Sequence, residues 1–325
     1  MKHLTTYLSF LILVFFLSCG GSKTETNEFS EQKSNDTLLS FNKQIFTIAA
    51  SSDSVIIGEK GTKIKLLAGS LQNPMGEIYS GSVSIELIEF YDLSEMVINN
   101  LSTETTDGKL LSTGGMVYVN FLDSINSQLS LIDGKGYELW FKKSDTLDKR
   151  EMHLFKGEWD KEDSPCLKWE KSEDTLILSD QVWGLKDDVL SNNNLAKGTV
   201  DYFIFNSTQI GWINCDAFVK YEQMDLLTKV SIQEQTKAAY RLIDKKTKSI
   251  GVLYQERKNG KYEFNMVQTG NQYYLFSFYK KDGYYYYNLT DFVAKKEGNE
   301  ITPKFEKTDL AGLKVQAEKI GRAHV

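Results

Sequence analysis

From Ile45 onward, apolar and polar residues alternate in short runs separated by turn-forming residues. In Ser82–Phe90 the apolar Val83, Ile85 and Leu87 share one side and Ser84 and Glu86 the other, the period-2 pattern of a strand with one buried face. Met116–Leu122 and Tyr137–Phe141 follow the same rule. Between such runs stand Asp107-Gly108, Gly114-Gly115 and Asp133-Gly134, and Asp-Gly supplies the positive φ angles of tight hairpins. Asp92–Asn100 is the one helical stretch in this half. After a charge-rich join containing Pro165, Glu170–Asp174 and Ser191–Asn194, strands resume at Thr199–Phe205, Gly211–Asp216, Ala239–Asp244, Ile250–Tyr254, Tyr262–Met266, Tyr273–Tyr279 and Tyr284–Asn288. Thr308 or Asp309 can cap a terminal helix through Leu310, Leu313 and Ala317. Short strands with regular turns predict a sandwich or barrel. The expected fold is therefore mainly β: an N-terminal β-sandwich over 41–160, a linker over 161–197, and a second β-rich domain with a short C-terminal helix over 198–319. Leu176–Leu178 could serve as a strand of either domain. No internal repeat stands out.

The start of the chain has a different pattern. Lys2 and His3 precede an apolar run from Leu8 to Leu17 broken only by Ser9, and Ser18-Cys19 follows. This is the layout of a secretory signal, and the run is too short to span a bilayer. The cysteine after the run resembles a bacterial lipoprotein box, although Phe16 stands where the box usually has Leu. The resemblance implies that 1–18 is a signal peptide and that Cys19 is lipidated. It would then carry a thioether-linked diacylglycerol and an amide-linked acyl chain such as palmitate. Two or more chains hold a protein firmly to a membrane. Residues 19–40 have few large apolar side chains apart from Phe29, Leu38 and Leu39 and read as a flexible tether. Gly20, where an inner-membrane retention signal has Asp, points to the outer membrane of a cell envelope. At the other end, Ile320–Val325 matches a peptide encoded by a common sequencing adapter, so 320–325 is expected to be foreign to the natural chain.

Composition narrows the chemistry. The 325 residues carry a net charge of −6 with both signs interspersed, which argues against nucleic acid as a partner. Between Cys19 and Ile320 there is one histidine, His153, and two cysteines, Cys166 and Cys215. The cysteines fit either a disulfide in an oxidising compartment or two buried small hydrophobes. A Ser- or Cys-based triad needs a histidine base, and alternation places His153 on a strand opposite Met152 and Leu154. Zinc needs three or four well-spaced ligands. Phosphate-binding glycine loops and calcium loops do not occur. No catalytic residue, metal or cofactor is expected. Two carboxylates suffice for glycoside hydrolysis, so a hydrolase acting on glycan or envelope stays as an alternative.

Two stretches offer a binding surface. In Gly211–Asp216, alternation puts Trp212, Asn214 and Asp216 on one face, suited to a sugar or peptide end, or else to packing on a neighbouring strand. In Tyr284–Tyr287, Tyr285 and Tyr287 share a face that could meet a protein or glycan, or simply stabilise the hairpin. The blocks Gly61–Lys65, Gly81–Glu89, Leu101–Met116 and Met152–Gly157 together resemble a group of uncharacterised Bacteroidota surface lipoproteins. Their first domain is reminiscent of the β-sandwich of ankyrins and netrin receptors. Gly211–Asp216 is similar to a second block of that group, with Ala217 in place of its usual arginine. The resemblance implies an adhesive or scaffolding module and brings no catalytic residue. The expected function is a lipid-anchored, non-catalytic envelope or surface protein that engages protein or glycan, or a subunit of an envelope complex.

Overall fold

A computed structural model describes residues 42–143, 152–159, 167–177, 202–220, 227–233, 238–253 and 261–322. The fold is mainly β. Its largest sheet orders six antiparallel strands as β1 (Gln44–Ala49), β5 (Ser82–Phe90), β6 (Leu111–Leu122), β13 (Gly211–Phe218), β9 (His153–Trp159) and β10 (Leu167–Lys171). A second sheet runs β11 (Leu176–Ile177), β12 (Tyr202–Ser207), β8 (Tyr137–Lys142), β3 (Lys63–Leu66) and β2 (Ser54–Ile57). Between them lies the first core, with Val83, Ile85, Val119 and Phe121 facing Ile64, Leu139, Phe203 and Phe205. The alternation read along Ser82–Phe90 sets this face, and each fully buried side chain of this size contributes about 1.5–3 kcal/mol.

The opposite face of the six-stranded sheet is also covered. Ile88, Phe90, Met116, Tyr118 and Trp212 pack against Ile243, Phe276 and Phe278 of a third sheet. That sheet is ordered β16 (Ser249–Val252), β15 (Ala239–Asp244), β18 (Gln272–Lys281), β19 (Tyr284–Val293) and β21 (Glu306–Thr308). Two helices, α1 (Leu93–Ile98) and α2 (Leu310–Arg322), share this second core through Met96, Leu313, Ala317 and Ile320. A third core joins the far face of this sheet (Leu242, Tyr273, Leu275) to Val230, Ile232 and Phe264. Those residues belong to a three-stranded sheet of β17 (Lys261–Gln268), β14 (Leu227–Gln233) and β20 (Asn299–Ile301). A short pair, β4 (Leu71–Gln72) and β7 (Ser130–Leu131), closes one end of the sandwich.

The sheets do not divide at the expected linker. β12 and β13, placed by sequence in the second domain, fill the sandwich: β13 lies between β6 and β9, and β12 pairs with β8. β11 pairs with β12 and so belongs to the sandwich as well. The physical reason is that β6 is buried on both faces along most of its length, and β13, buried on both faces as well, is the central partner that 41–160 does not contain. The segment after α1 then straps the layers together. Arg241, buried in β15, donates to the carbonyls of Asn100 (2.8 Å) and Leu101 (3.3 Å), and Thr103 N donates to Ile250 O at 3.0 Å.

Asp309 caps α2, its Oδ1 accepting Gly312 N at 2.7 Å. Ile320, first of the six residues expected to be foreign, is fully buried in the second core. The signal peptide, Cys19 and the whole of the tether (19–40) lie outside the described residues, as does Cys166. No described helix is long and apolar enough to cross a membrane.

Candidate functional site

The first candidate face is interior. Trp212 is buried in the second core against Phe90, Tyr118 and Trp159, with ring centroids 5.5–6.2 Å apart. Asn214 and Asp216 are fully buried. A register shift between β13 and β6 opens at Gly114-Gly115, where Gly115 has φ +137° and a Cβ would meet the Tyr91 ring at 2.6 Å. The bulge turns Gly114 N toward Asp216 Oδ1 (3.2 Å), while Asn214 Nδ2 donates to Asp216 Oδ2 at 2.5 Å. Burial pushes the Asp216 carboxyl well above its usual range, outweighing these bonds and one from Thr113. These are the groups of a sealed polar pocket, and no ligand can reach them. Trp212, Asn214 and Asp216 are therefore removed as contact residues. Cys215, between them, is a free thiol fully buried in the first core; Cys166, the other half of the bridge considered, lies outside the described residues. His153, opposite Asp216 in register, rests its ring near Phe155 and Phe218.

The tyrosine hairpin does present a surface, on the face opposite to the expected one. β18 and β19 join through Asp282-Gly283, both at positive φ (52° and 77°), which closes a two-residue turn. Register then pairs Tyr279 with Tyr286 and Lys280 with Tyr285. Tyr285 is buried in the second core, and Tyr287 packs at its edge with its hydroxyl donating to Glu306 Oε2 at 2.8 Å. Burial, with that bond, raises the Tyr287 pKa. α2 and the six-stranded sheet cover this side, so Tyr285 and Tyr287 are corrected from candidate contacts to packing residues.

On the other side of the hairpin, Tyr279 and Tyr286 are half-buried and Tyr284 is exposed among the described residues. Tyr279 and Tyr286 stack with centroids 5.0 Å apart at 6°. Phe305 stands edge-on to Tyr279 at 5.1 Å, and Lys307 Nζ lies 3.6 Å from the exposed Tyr284 ring. β21 brings Lys307 beside Tyr286. The result is a shallow platform of aromatic rings with one ammonium at its margin, which can take the C–H face of a sugar or a flat peptide segment. Alternation revealed two tyrosine faces; Tyr279 and Phe305 could be added only from the strand register.

Glu104 and Asp244 line a cavity together with Leu242, Phe264 and Tyr273. Its volume is about 20 Å³, room for one water and not for a sugar ring. Glu104 Oε2 accepts Val252 N (3.2 Å) and Asp244 Oδ1 accepts Lys246 N (2.8 Å). Both carboxylates thus hold backbone in place. Among the described residues no group of three or more His, Cys, Asp or Glu could hold a metal ion.

In comparison with protein families, a model of the KH domain matches residues 25–92, about a fifth of the chain. Comparison with curated proteins gives no match, and comparison with solved structures gives none. The described part of the matched span, 42–92, forms β1 to β5 and no helix. It contains one Gly-x-x-Gly, Gly58-Glu59-Lys60-Gly61, the pattern with which KH domains clamp a nucleic-acid backbone. Here it is the turn of the β2–β3 hairpin, and its amides are engaged. Gly58 N donates to Thr62 O (2.8 Å) and Gly61 N to Gly58 O (3.0 Å). Glu89, buried on β5, accepts Lys60 N at 3.0 Å and Thr62 N at 2.9 Å. A carboxylate of the protein thus already takes two of the amides of this turn. Both glycines have structural causes: a Cβ on Gly58 would lie 2.4 Å from Glu89 Oε2, and Gly61 has φ +99°.

Proposed function

We propose that this protein is a non-catalytic binding module of the cell envelope, held at the membrane through a lipidated Cys19, that engages a glycan or protein through the Tyr279–Tyr286 platform. The observation that carries this reading is the half-buried stack of Tyr279 and Tyr286 flanked by Phe305, the exposed Tyr284 and Lys307. Cross-strand pairing accounts for part of the stack, and Phe305 also packs on the third core; the ring edges that stay half-buried, the exposed Tyr284 and the nearby ammonium are well suited to sugars and peptides. The cavity that carries Glu104 and Asp244 is too small to admit a glycosyl unit and so lends no support to a hydrolytic role. Nucleic acid is disfavoured as a partner by the net charge of −6 and by Glu89, which takes the amides of the glycine turn.

The test is a glycan array and a surface-peptide library probed with the wild-type chain and with Tyr286→Ala. Loss of one stacking ring should weaken any platform ligand about tenfold, a stacking contribution of ~0.5–1.5 kcal/mol added to the lost contact area. A ligand that binds both proteins equally would place its site elsewhere and remove the platform from this role.

A further inference from the structure

Four hairpin turns in the sandwich region share one hydrogen-bonded frame of five residues. They are Gly58–Thr62, Asn73–Glu77, Thr105–Lys109 and Asp123–Ser127. In each, the first residue's N–H donates to the fifth carbonyl, and the fourth N–H donates back to the first carbonyl, at 2.8–3.1 Å. The fourth residue has positive φ in all of them: Gly61, Gly76, Gly108 and Asn126. In three of them the first side chain also accepts the fifth N–H, Thr105 Oγ1 taking Lys109 N at 2.8 Å, and in two it accepts the third N–H as well and so pins the tip. Asn73 Oδ1 accepts Met75 N and Glu77 N, both at 3.0 Å. Asp123 Oδ1 accepts Ile125 N at 2.9 Å and Ser127 N at 2.8 Å.

The third residue points outward, and its identity is free as far as the frame is concerned. It is Lys60 in one turn and Asp107 in another, yet Met75 and Ile125 in the two side-chain-pinned turns. Met75 and Ile125 are each 79% exposed, and Ile78 beside the first tip is 70% exposed. These are the most exposed large apolar side chains among the described residues. The two turns spring from neighbouring bases, since Gln72 pairs with Ser130 and sets the start of one beside the end of the other. Pinning by Asn73 and Asp123 means the side chains are held out by the fold.

We infer that this pair of tips dips into the surface of a lipid bilayer. Three side chains fall far short of the ~20–30 residues per side of a stable protein interface, so a second copy does not account for them. A convex apolar point needs no complementary groove when the partner is lipid. The charges on the tips are the carboxylates of Glu77 and Asp123, and both are engaged, with Asn73 Nδ2 and with the turn amides respectively. No lysine or arginine lies within 73–79 or 123–128, so the attraction is apolar and directed to uncharged headgroups rather than to anionic lipid. This inference is independent of the platform and does not require lipidation.

The test uses the full chain with Cys19→Ser and Cys166→Ser, leaving the buried Cys215 in place. Ile125→Cys in this background is labelled with a polarity-sensitive fluorophore, and Glu59→Cys, exposed at the other end of the sandwich, serves as the control. Phosphatidylcholine vesicles should blue-shift the label at 125 and shield it from iodide, leave the label at 59 in water, and do both equally at low and high salt. Met75→Ser should weaken the shift at 125 at least tenfold in vesicle concentration. Since Asp107 occupies the equivalent place in a sister turn, Met75→Ser should keep the urea midpoint. A chain that sediments with vesicles while the label at 125 stays in water would overturn the inference, as would no sedimentation at all. A concentration-dependent shift without vesicles would overturn it in favour of contact between copies.

Discussion

Replacing Glu89 tests the internal anion seat directly. The carboxylate accepts Thr62 N (2.9 Å), Lys60 N (3.0 Å) and Gln44 Nε2 (2.8 Å). Hydrogen bonds to a charged group contribute ~1.5–3 kcal/mol each, and a buried donor left unpaired costs ~1–3 kcal/mol. Thr62 is fully buried, while Gln44 and Lys60 reach water. Glu89→Ala should therefore destabilise by about 4 kcal/mol, read as a lower urea midpoint with linear extrapolation. The sister turns supply the rescue. Asp123 holds the equivalent pair of amides from the first position of its own turn, and Gly58, at that position, does not have positive φ. Gly58→Asp in the Glu89→Ala background should recover about 2 kcal/mol once a Leu87 methyl rotates away. In the wild-type background the same change should destabilise, because its Cβ lies 2.4 Å from Glu89 Oε2. The expected signature is a reversal of sign between backgrounds. Equal, additive effects in both would refute the reasoning.

Asp216 should give stability a pH dependence. Its folded pKa is raised by burial from 3.8, so the folded chain keeps a proton that the unfolded chain releases. The stabilisation is complete below pH 3.8 and declines as pH rises toward the raised value, by up to ~1.4 kcal/mol per pH unit. Asp216→Asn should flatten this decline in urea midpoints taken between pH 5 and 8, and parallel slopes for both proteins would count against a protonated Asp216. For the anchor, Cys19→Ser should abolish incorporation of labelled palmitate in cells and release the chain from the membrane fraction; undiminished palmitate incorporation would sink the lipidation proposal.

The strands were legible because alternation is local: Val83, Ile85 and Leu87 needed only their own run to identify a buried face. Which face of a run is covered depends on remote elements, and there the pattern was silent. Tyr285 and Tyr287 are as aromatic as Tyr284 and Tyr286, and only α2 and the six-stranded sheet decide between them. β13 was recognisable as a strand, whereas its insertion between β6 and β9 is a pairing across more than fifty residues of intervening chain. Glu89 extends the inward face of β5 as a carboxylate, with nothing near it in sequence to indicate the amides at 60 and 62. The four turns escaped notice as a repeat because they share backbone angles rather than letters: Gly, Asn, Thr and Asp all serve at the first position.

The late arrival of β13 constrains how the molecule is made. While the first 200 residues emerge, β6 and β9 have no neighbour between them, and two open edges of apolar strand are presented at once. A chain in this condition is vulnerable to self-association until Phe218 has been synthesised. Export of the unfolded polypeptide, with folding delayed until the whole length has been delivered, would spare it that stage.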